Sequence, residues 1–461
     1  MQQGTGSPTG PGSGHQRDWT QGNIFKNLLS LSWPMMISQS LNMMGPTIDM
    51  IWVGRLGSAS IAGVGVGGMA VMMITALMMG LSMGARAMIA RFIGAGDQDG
   101  ARHIARQAFI VSTGFAAILV PAGIIATKPL LIFLGLEPDV VDEGTAYMRI
   151  MLVGAAFMTF RTMIEGIMQA SGDAVTPMKV AALFRIIHIV LAPFLIFGWW
   201  IFPQMGVSGA AVADVVSQSI GLGVGLWFLF SGKTRLHLTM KGFSVDPSIL
   251  WRIIRIGIPT SLTGMQRGMG QLTLMWFIVP FGTLAVAGHT LVQRVEMFIM
   301  MPGMGMGLGT STLVGQNLGA GHPGRAEKSG WMAVIAVESF MLLMSTGMLL
   351  WAEEILSIFG PPPEVVTLGA AFLRIAAVGF LLFGIEPVLM MALSGAGDTL
   401  PPMLATMLSF WAVQVPLAYV LTQYTELGVY GVRWGMATGM IAAAASMAIY
   451  FRLGRWKRKR V

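Results

Sequence analysis

The 461-residue chain contains no cysteine. Disulfide frameworks, thiolate nucleophiles and cysteine metal sites are therefore excluded. Charged residues are also scarce, at 11% of the chain, whereas soluble domains carry about 25%. A chain with so few charged residues is not expected to be surrounded by water on all sides. The net charge of +8 is therefore attributed to loops beside a membrane, and no nucleic-acid partner is predicted.

Long apolar runs are abundant, and 54% of the residues are hydrophobic. Many runs exceed about 18 residues, which is enough to cross a roughly 30 Å hydrocarbon core as a helix. They lack the alternation of polar and apolar residues that marks strands of a membrane barrel. The sequence therefore predicts an all-α integral membrane protein, with the lipid bilayer as its surroundings.

Glycines, prolines and charge clusters divide the chain into twelve predicted spans. Lysines and arginines gather in the loops after even-numbered spans and in the final segment RLGRWKRKRV. By the positive-inside rule, both termini are expected in the cytoplasm of a prokaryotic cell, with the chain crossing the cell membrane repeatedly. The predicted spans are 28–53, 60–90, 104–127, 144–168, 179–200, 207–230, 256–279, 285–315, 330–351, 367–393, 403–423 and 430–451.

The chain is an internal repeat. A shift of about 225 residues places Pro34 on Pro259, Gly45 on Gly270, and Gly172-Asp173 on Gly397-Asp398. Each copy holds six spans, an even number, so both copies insert with the same orientation. This predicts two parallel six-helix bundles around a central cleft, a build that suits alternating access.

The same glycines, prolines and charge clusters divide the chain into five predicted regions. A disordered cytosolic tail (1–22), rich in Gly, Ser and Pro, precedes the N-terminal bundle (23–230). A basic cytosolic linker (231–247) leads to the C-terminal bundle (248–453), and a basic cytosolic tail (454–461) ends the chain.

Several motifs stand out, and two of them recur at equivalent places in the two halves. The recurring pairs are RFIGAGDQDGA at 91–101 with LVGQNLGAG at 313–321, and QASGDAVTPM at 169–178 with LSGAGDTLPPM at 393–403, while IDMIWVGRLG at 48–57 lies in the first span. In these motifs the chain resembles the multidrug and toxic-compound extrusion (MATE) family. The resemblance implies secondary active export of organic, mainly cationic and amphiphilic, compounds in exchange for H⁺ or Na⁺. It implies no enzymatic activity and no cofactor besides the coupling ion, and a monomer is expected.

Asp49 stands in an apolar run, where a carboxylate is costly and is a candidate functional group by default. The resemblance implies that it is the main coupling carboxylate of the N-terminal half. One major branch of the family carries Asn-x-x-x-Asp-Pro in the fifth span, where this chain has HIVLAP, with His188 and Ala192 at the polar positions.

Asp214 in the sixth span stands where that pattern usually has threonine, and it restores the number of carboxylates to two. We expect Asp49, His188 and Asp214 to form one titrating cluster that couples transport to H⁺. Sodium at Asp49 and Asp214 is the alternative, because backbone carbonyls and water could supply further oxygens.

Substrate contacts are harder to place. Glu386 could meet a cationic drug, and Arg267, where another family branch has a carboxylate, could repel cations or anchor a carboxylate. The 40 methionines include runs in the second and eighth spans, and flexible side chains such as Met72 and Met300 suit a wall that accepts many ligands. For most of the methionines, the simpler interpretation is that they are ordinary apolar residues of membrane-spanning helices.

Two rival functions stay open from the sequence. A flippase for lipid-linked precursors would need a basic cavity, for which Arg86, Arg161, Arg185 and Arg267 are candidates. A channel would show flux without stoichiometric coupling. An enzyme has no support, because the chain has no H-E-x-x-H, G-x-S-x-G or P-loop motif.

Overall fold

The computed structural model describes residues 17–56, 58–133, 138–239 and 242–459. Within these ranges the chain forms fifteen α-helices and no β-strand, which confirms the all-α prediction. The helices are α1 (Ile24–Val53), α2 (Ser58–Gly94), α3 (Gln98–Phe133), α4 (Pro138–Ser171), α5 (Val175–Phe197), α6 (Val207–Phe230), α7 (Pro247–Ile278), α8 (Thr283–Gly319), α9 (Pro323–Leu350), α10 (Ala352–Ser357), α11 (Pro363–Phe380), α12 (Ile385–Gly395), α13 (Leu400–Leu408), α14 (Val415–Gln423) and α15 (Val429–Leu453).

Ten segments of the described chain are long and apolar enough to cross a membrane. Helices α1 and α7, at 30 and 32 residues, are also long enough to do so. The tenth crossing consists of α11 and α12, and the eleventh of α13 and α14. Together these helices make the twelve predicted crossings, six in each half.

The tenth and eleventh crossings are each interrupted. Helix α11 stops at Phe380 and α12 starts at Ile385, with turns between them. In the eleventh crossing a π-helical turn, Ser409–Gln414, separates α13 from α14. A proline follows each interruption (Pro387 and Pro416), and the missing N–H removes one hydrogen bond from the preceding turn.

The two halves meet closely at the end of the molecule where the described termini lie, here called the terminus end. Helix α1 packs on α8, and α2 packs on α7. A methyl group on Gly94 would lie 2.0 Å from the carbonyl oxygen of Gln316, and one on Gly319 would lie 2.0 Å from that of Arg91. These contacts are reciprocal, because a shift of 225 residues carries Gly94 to Gly319 and Arg91 to Gln316. The terminus end is thus closed by backbone against backbone.

Any side chain at these glycines is expected to force the halves apart. In Gly319→Ala, the new methyl group faces a carbonyl that cannot move aside, so the closed terminus end loses stability. We expect labelling of a single cysteine placed at Thr312, a buried position on α8, to accelerate by about tenfold, equivalent to ~1.4 kcal/mol. Maleimide labelling is clean because the chain has no cysteine of its own. Gly324→Ala, with no heavy atom within 4 Å of the added carbon, is the control, and equal rates in both variants would contradict the prediction.

Residues 17–22 cross the boundary between the halves at the terminus end. Trp19 is buried and packs within a cluster formed largely by the C-terminal half. Arg235 of the linker donates to a backbone carbonyl of the segment. Arg325 of α9 donates to two more, each at 2.8 Å. This part of the predicted disordered tail is therefore docked on both halves, and residues 1–16 lie outside the described residues.

The C-terminal tail is also tied to the bundle. Trp456 is fully buried and stacks on Phe451. Lys457 and Lys459 form ion pairs with Glu327 of α9 and with Asp398, at 2.7 Å and 3.3 Å. Part of the basic charge of this tail thus serves attachment to the C-terminal half.

Candidate coupling site

Asp49 lies one turn before the end of α1 and is buried, with 5% of its surface exposed. It is thus nearer the far end, opposite the termini, than the middle of the crossing where the sequence placed it. Charge interactions link it to His188 on α5 and to Asp214 on α6. The site belongs to the N-terminal half.

His188 faces Asp49 directly. Its Nε2 atom lies 3.1 Å from Asp49 Oδ1, and the imidazole is fully buried. Neither atom makes another contact that qualifies as a hydrogen bond in the structure. A buried donor and a buried acceptor therefore confront each other without full satisfaction, and a change of protonation at Asp49 would alter this contact first.

Arg185 determines which nitrogen of His188 carries the proton. Its Nη1 atom lies 3.0 Å from His188 Nδ1. A guanidinium group can only donate, so Nδ1 must accept and the ring proton must sit on Nε2. The neutral imidazole thus carries its proton on the nitrogen that lies 3.1 Å from Asp49. Because Nδ1 is occupied by Arg185, a proton cannot pass through the ring from one nitrogen to the other.

Arg185 also braces α1 next to the site. Pro46 has no N–H and leaves the carbonyl of Asn42 without its helical partner. Arg185 Nη2 donates to this oxygen at 3.1 Å, and Nε donates to the oxygen of Leu41 at 2.7 Å. A methyl group on Gly45 would lie 2.3 Å from Nη1, so glycine leaves the space that the guanidinium fills. One arginine thus ties the proline position of α1 to the histidine of α5.

Asp214 is half-buried on α6. It makes no hydrogen bond or ion pair within the described part of the chain, but its charge acts on Asp49 and on Tyr147 of α4. The predicted grouping thus appears as an Asp49–His188 contact with Asp214 at longer range. Ala192, at the family's carboxylate position, is fully buried in an apolar cluster with Val53 and leaves no polar group there.

A second polar cluster next to this site was not foreseen in full. Arg161 on α4 donates to Gln218 Oε1 at 2.6 Å, to Glu165 Oε2 at 3.1 Å and to Asn42 Oδ1 at 3.3 Å. The spacing of Arg161 and Glu165 predicted their pair. The partners on α6 and α1 lie far away in the sequence and had no local signal.

The C-terminal half repeats one of these contacts with different residues. Arg267 Nη2 lies 3.3 Å from Glu386 Oε1. A shift of 225 residues carries Asn42 to Arg267 and Arg161 to Glu386, so both halves join the same two helix positions. The anchoring of a carboxylate by Arg267, one of its two predicted roles, is therefore observed. A direct contact of Glu386 with a drug stays a prediction, and it would have to compete with this ion pair.

The remaining predicted residues are less informative. Met300 on α8 is half-buried against the apolar core of the C-terminal half. Met72 lies among residues whose side chains are outside the described part of the structure. Glu296 of α8 forms a buried ion pair with Arg433 of α15, at 2.8 Å, whereas Arg294, two residues before Glu296, is exposed.

A multidentate metal site is not evident in the described ranges, where no group of three or more histidines and acids is arranged to hold a metal ion. His188 Nε2, which carries the ring proton, lies 3.1 Å from Asp49 Oδ1. The pocket can therefore stabilise a carboxylate by donation, or receive a proton on it.

A family model named MatE matches residues 34–194 and 259–420. The two matched stretches begin at the repeat-equivalent residues Pro34 and Pro259. Together they include Asp49, His188 and Glu386.

Similar proteins and structures extend over nearly the whole chain. A probable multidrug resistance protein NorM from Thermotoga maritima is 28% identical over 443 residues, which covers 95% of this chain and 94% of that protein. A probable multidrug resistance protein YpnP from Bacillus subtilis is 26% identical, covering 95% and 97%. An outward-facing multidrug resistance transporter of the MOP superfamily superposes with a TM-score of 0.89 at 28% identity, covering 96% of this chain and 98% of that one.

Proposed function

Because the chain belongs to the multidrug and toxic-compound extrusion family, in which its relatives are named as multidrug resistance proteins, we propose that it exports organic cations in exchange for H⁺. The carboxylate of Asp49 is the group that takes up the proton. The single observation that supports this role is its burial against the Nε2–H of His188, whose tautomer Arg185 fixes. Both termini are placed in the cytoplasm by the distribution of lysine and arginine.

The chemistry around Asp49 favours H⁺ over Na⁺. Sodium, a hard cation, needs several oxygen ligands, whereas Asp49 has the N–H of His188 at 3.1 Å and the guanidinium of Arg185 nearby, with Asp214 acting on it only through its charge. A cation placed between them would face positive charge and a donated hydrogen. A proton needs one oxygen lone pair and no coordination shell, and it fits the site without rearrangement.

The closed terminus end sets the direction of access. With that end cytoplasmic, the structure is outward-facing, and protons reach Asp49 from the far end. A bound organic cation would balance the negative charge of Asp49. Protonation removes that charge, so the drug and the proton compete for the same carboxylate. Drug leaves to the outside as the proton binds, and the protonated form then carries H⁺ inward.

The deciding experiment is drug export from proteoliposomes under an imposed pH gradient or an imposed Na⁺ gradient. We expect the pH gradient alone to drive wild-type export. Asp214→Asn is expected to reduce it strongly, because it removes the second negative charge that acts on Asp49. His188→Ala removes the donor to Asp49 and tests whether His188, the third residue of the predicted cluster, is needed for export. Export driven by Na⁺ alone would refute the proton assignment, and a silent Asp214→Asn would remove Asp214 from the site.

The flippase alternative has less support from the geometry. Arg161 and Arg267 are engaged with carboxylates, and Arg185 is bound to two carbonyls and an imidazole. Of the four arginines proposed for a basic cavity, Arg86 has unpartnered nitrogens but is buried. A pyrophosphate group would have to displace existing partners to bind here. Tight binding of lipid pyrophosphate by purified protein, together with indifference to organic cations, would revive this alternative.

A further inference from the structure

The tenth crossing is broken in the middle of the C-terminal half. Helix α11 ends at Phe380, and α12 runs for 11 residues from Ile385. The hydrogen bonds across the break are long, such as the 3.4 Å contact from Ile385 N to the carbonyl of Leu382. The first N–H groups of α12 therefore point into the protein at membrane depth, where a helix N-terminus favours a negative charge.

Glu338 of α9 points its carboxylate at this break. A methyl group on Gly384 would lie 3.0 Å from Glu338 Oε1, so the acid rests against the backbone there. The N–H groups of Gly384 and Ile385 are the polar groups that act on it. Both carboxylate oxygens are buried and have no aligned hydrogen-bond partner in the structure. The residue lies inside the apolar crossing Pro323–Leu350.

Glu338 is half-buried with both carboxylate oxygens covered, and it differs from the buried acids Glu296 and Glu386 of this half in lacking a cation. Glu386 pairs with Arg267, and Glu296 pairs with Arg433. None of these four side chains acts on Glu338, and within the described residues no lysine, arginine or histidine forms an ion pair with it. An ionised, unpaired carboxylate in an apolar medium is costly in free energy, and binding a proton removes this cost by neutralising the group.

The position is peculiar to the C-terminal half. The repeat partner of Glu338 is Thr113, whose hydroxyl donates to the carbonyl of Phe109. Conversely, the repeat partner of Asp49 is Leu274, which is buried in the apolar core. Asp49 and Glu338 are thus carboxylates without an arginine or lysine ion-pair partner in the described structure, at positions that the repeat does not relate.

The Arg267–Glu386 ion pair lies beside the same break. Glu386 comes two residues after Gly384, on the first turn of α12, and the side chain of Arg267 is 42% exposed. The break thus carries a partly exposed ion pair on α12 and has the unpaired, half-buried Glu338 against Gly384.

We propose that Glu338 is a second proton-binding site, which takes up one H⁺ at the break of the tenth crossing during each transport cycle. In its charged form Glu338 is held against the N-terminus of α12. In its protonated form this attraction is lost, and α12 is free to shift relative to α9. The proposal rests on the proposed function, because the proton bound at Glu338 would be one of those exchanged for the organic cation.

Two measurements on the full chain test this site. The first is infrared difference spectroscopy of protein in lipid nanodiscs, titrated with acid, which records the carbonyl stretch of protonated carboxyl groups. We expect Glu338→Gln to remove one titrating band that Asp49→Asn leaves in place. The second is the ratio of protons to exported organic cation, from the gradient at which net flux reverses. Here Glu338→Gln is expected to lower the ratio by about one proton.

Glu354→Gln, a change at an exposed acid on α10, is the matched control and should alter neither readout. Glutamine has the shape of glutamate, so folding is preserved, and Glu338→Asp should restore a titrating band. An unchanged spectrum for Glu338→Gln would overturn the proposal, as would a lost band with an unchanged ratio. If wild-type export ignores the pH gradient, the proposed function fails, but the infrared titration still decides whether Glu338 binds a proton.

Discussion

Asp49→Asn is expected to abolish uphill export by the pH gradient. Asparagine keeps the shape of the side chain but cannot bind and release a proton, so the exchange loses its coupling. We expect the rate of uphill export to fall by about a hundredfold or more, equivalent to ~2.7 kcal/mol. The measurement is accumulation of a fluorescent organic cation in inverted membrane vesicles energised with a pH gradient.

Downhill movement of the drug should survive in Asp49→Asn, because the cleft and its helices are retained. Asp142→Asn is the control, since Asp142 is a largely exposed acid on α4, paired with Lys128 at 3.6 Å. Uphill export near the wild-type rate in Asp49→Asn would place the coupling elsewhere, with Asp214 and Glu338 as the next carboxylates to examine.

Arg185→Met is expected to lower both stability and export. The change removes the donor to the half-buried carbonyls of Leu41 and Asn42 and to the buried Nδ1 of His188. The carbonyl of Asn42 and Nδ1 are then left without a donor. At about 1–3 kcal/mol for each unsatisfied group, the loss is about 2 kcal/mol or more, which should appear as a lower Tm. Arg185→Lys should recover little of it, because one ammonium group cannot reproduce the fork of a guanidinium.

A readout specific to the histidine separates coupling from mere packing. In the wild type, ¹⁵N NMR of labelled histidine should show the His188 proton on Nε2. In Arg185→Met, Nδ1 loses its donor, so the ring proton should no longer be confined to Nε2. Arg149→Lys, at an exposed position on α4, should change neither the spectrum nor the Tm. An unaltered His188 signal in Arg185→Met would show that the arginine does not set the tautomer.

The architecture could largely be predicted from the sequence because its signals are periodic or local. Apolar runs indicated the crossings, and the shift of 225 residues indicated two related bundles. Asp49 stood out because a lone carboxylate in an apolar run is costly. The contacts of Arg267 with Glu386 and of Arg161 with Asn42 then occupy repeat-equivalent positions, so the repeat extends to side-chain packing.

What could not be predicted depends on how helices meet. Arg433 and Glu296 are separated by 137 residues, and no local pattern connects them. The partnership of Arg185 with His188 was considered as an alternative, but its effect on the tautomer requires the position of the guanidinium. The role proposed for Glu338 could not be predicted from the sequence, because it depends on the helix break before Ile385. The apolar pattern of the tenth crossing continues through that break and gives no sign of it.

The docked segment at residues 17–22 also has a consequence for how the protein is made. Arg325, which holds this segment from α9, lies 304 residues beyond Gln21. At roughly 5–20 residues per second, the ribosome needs on the order of 15–60 s to reach it. During that time Trp19 has no complete surface to dock on, and the beginning of the chain must wait, undocked, for the second half. The N-terminal segment is thus among the first parts synthesised and among the last to find its place.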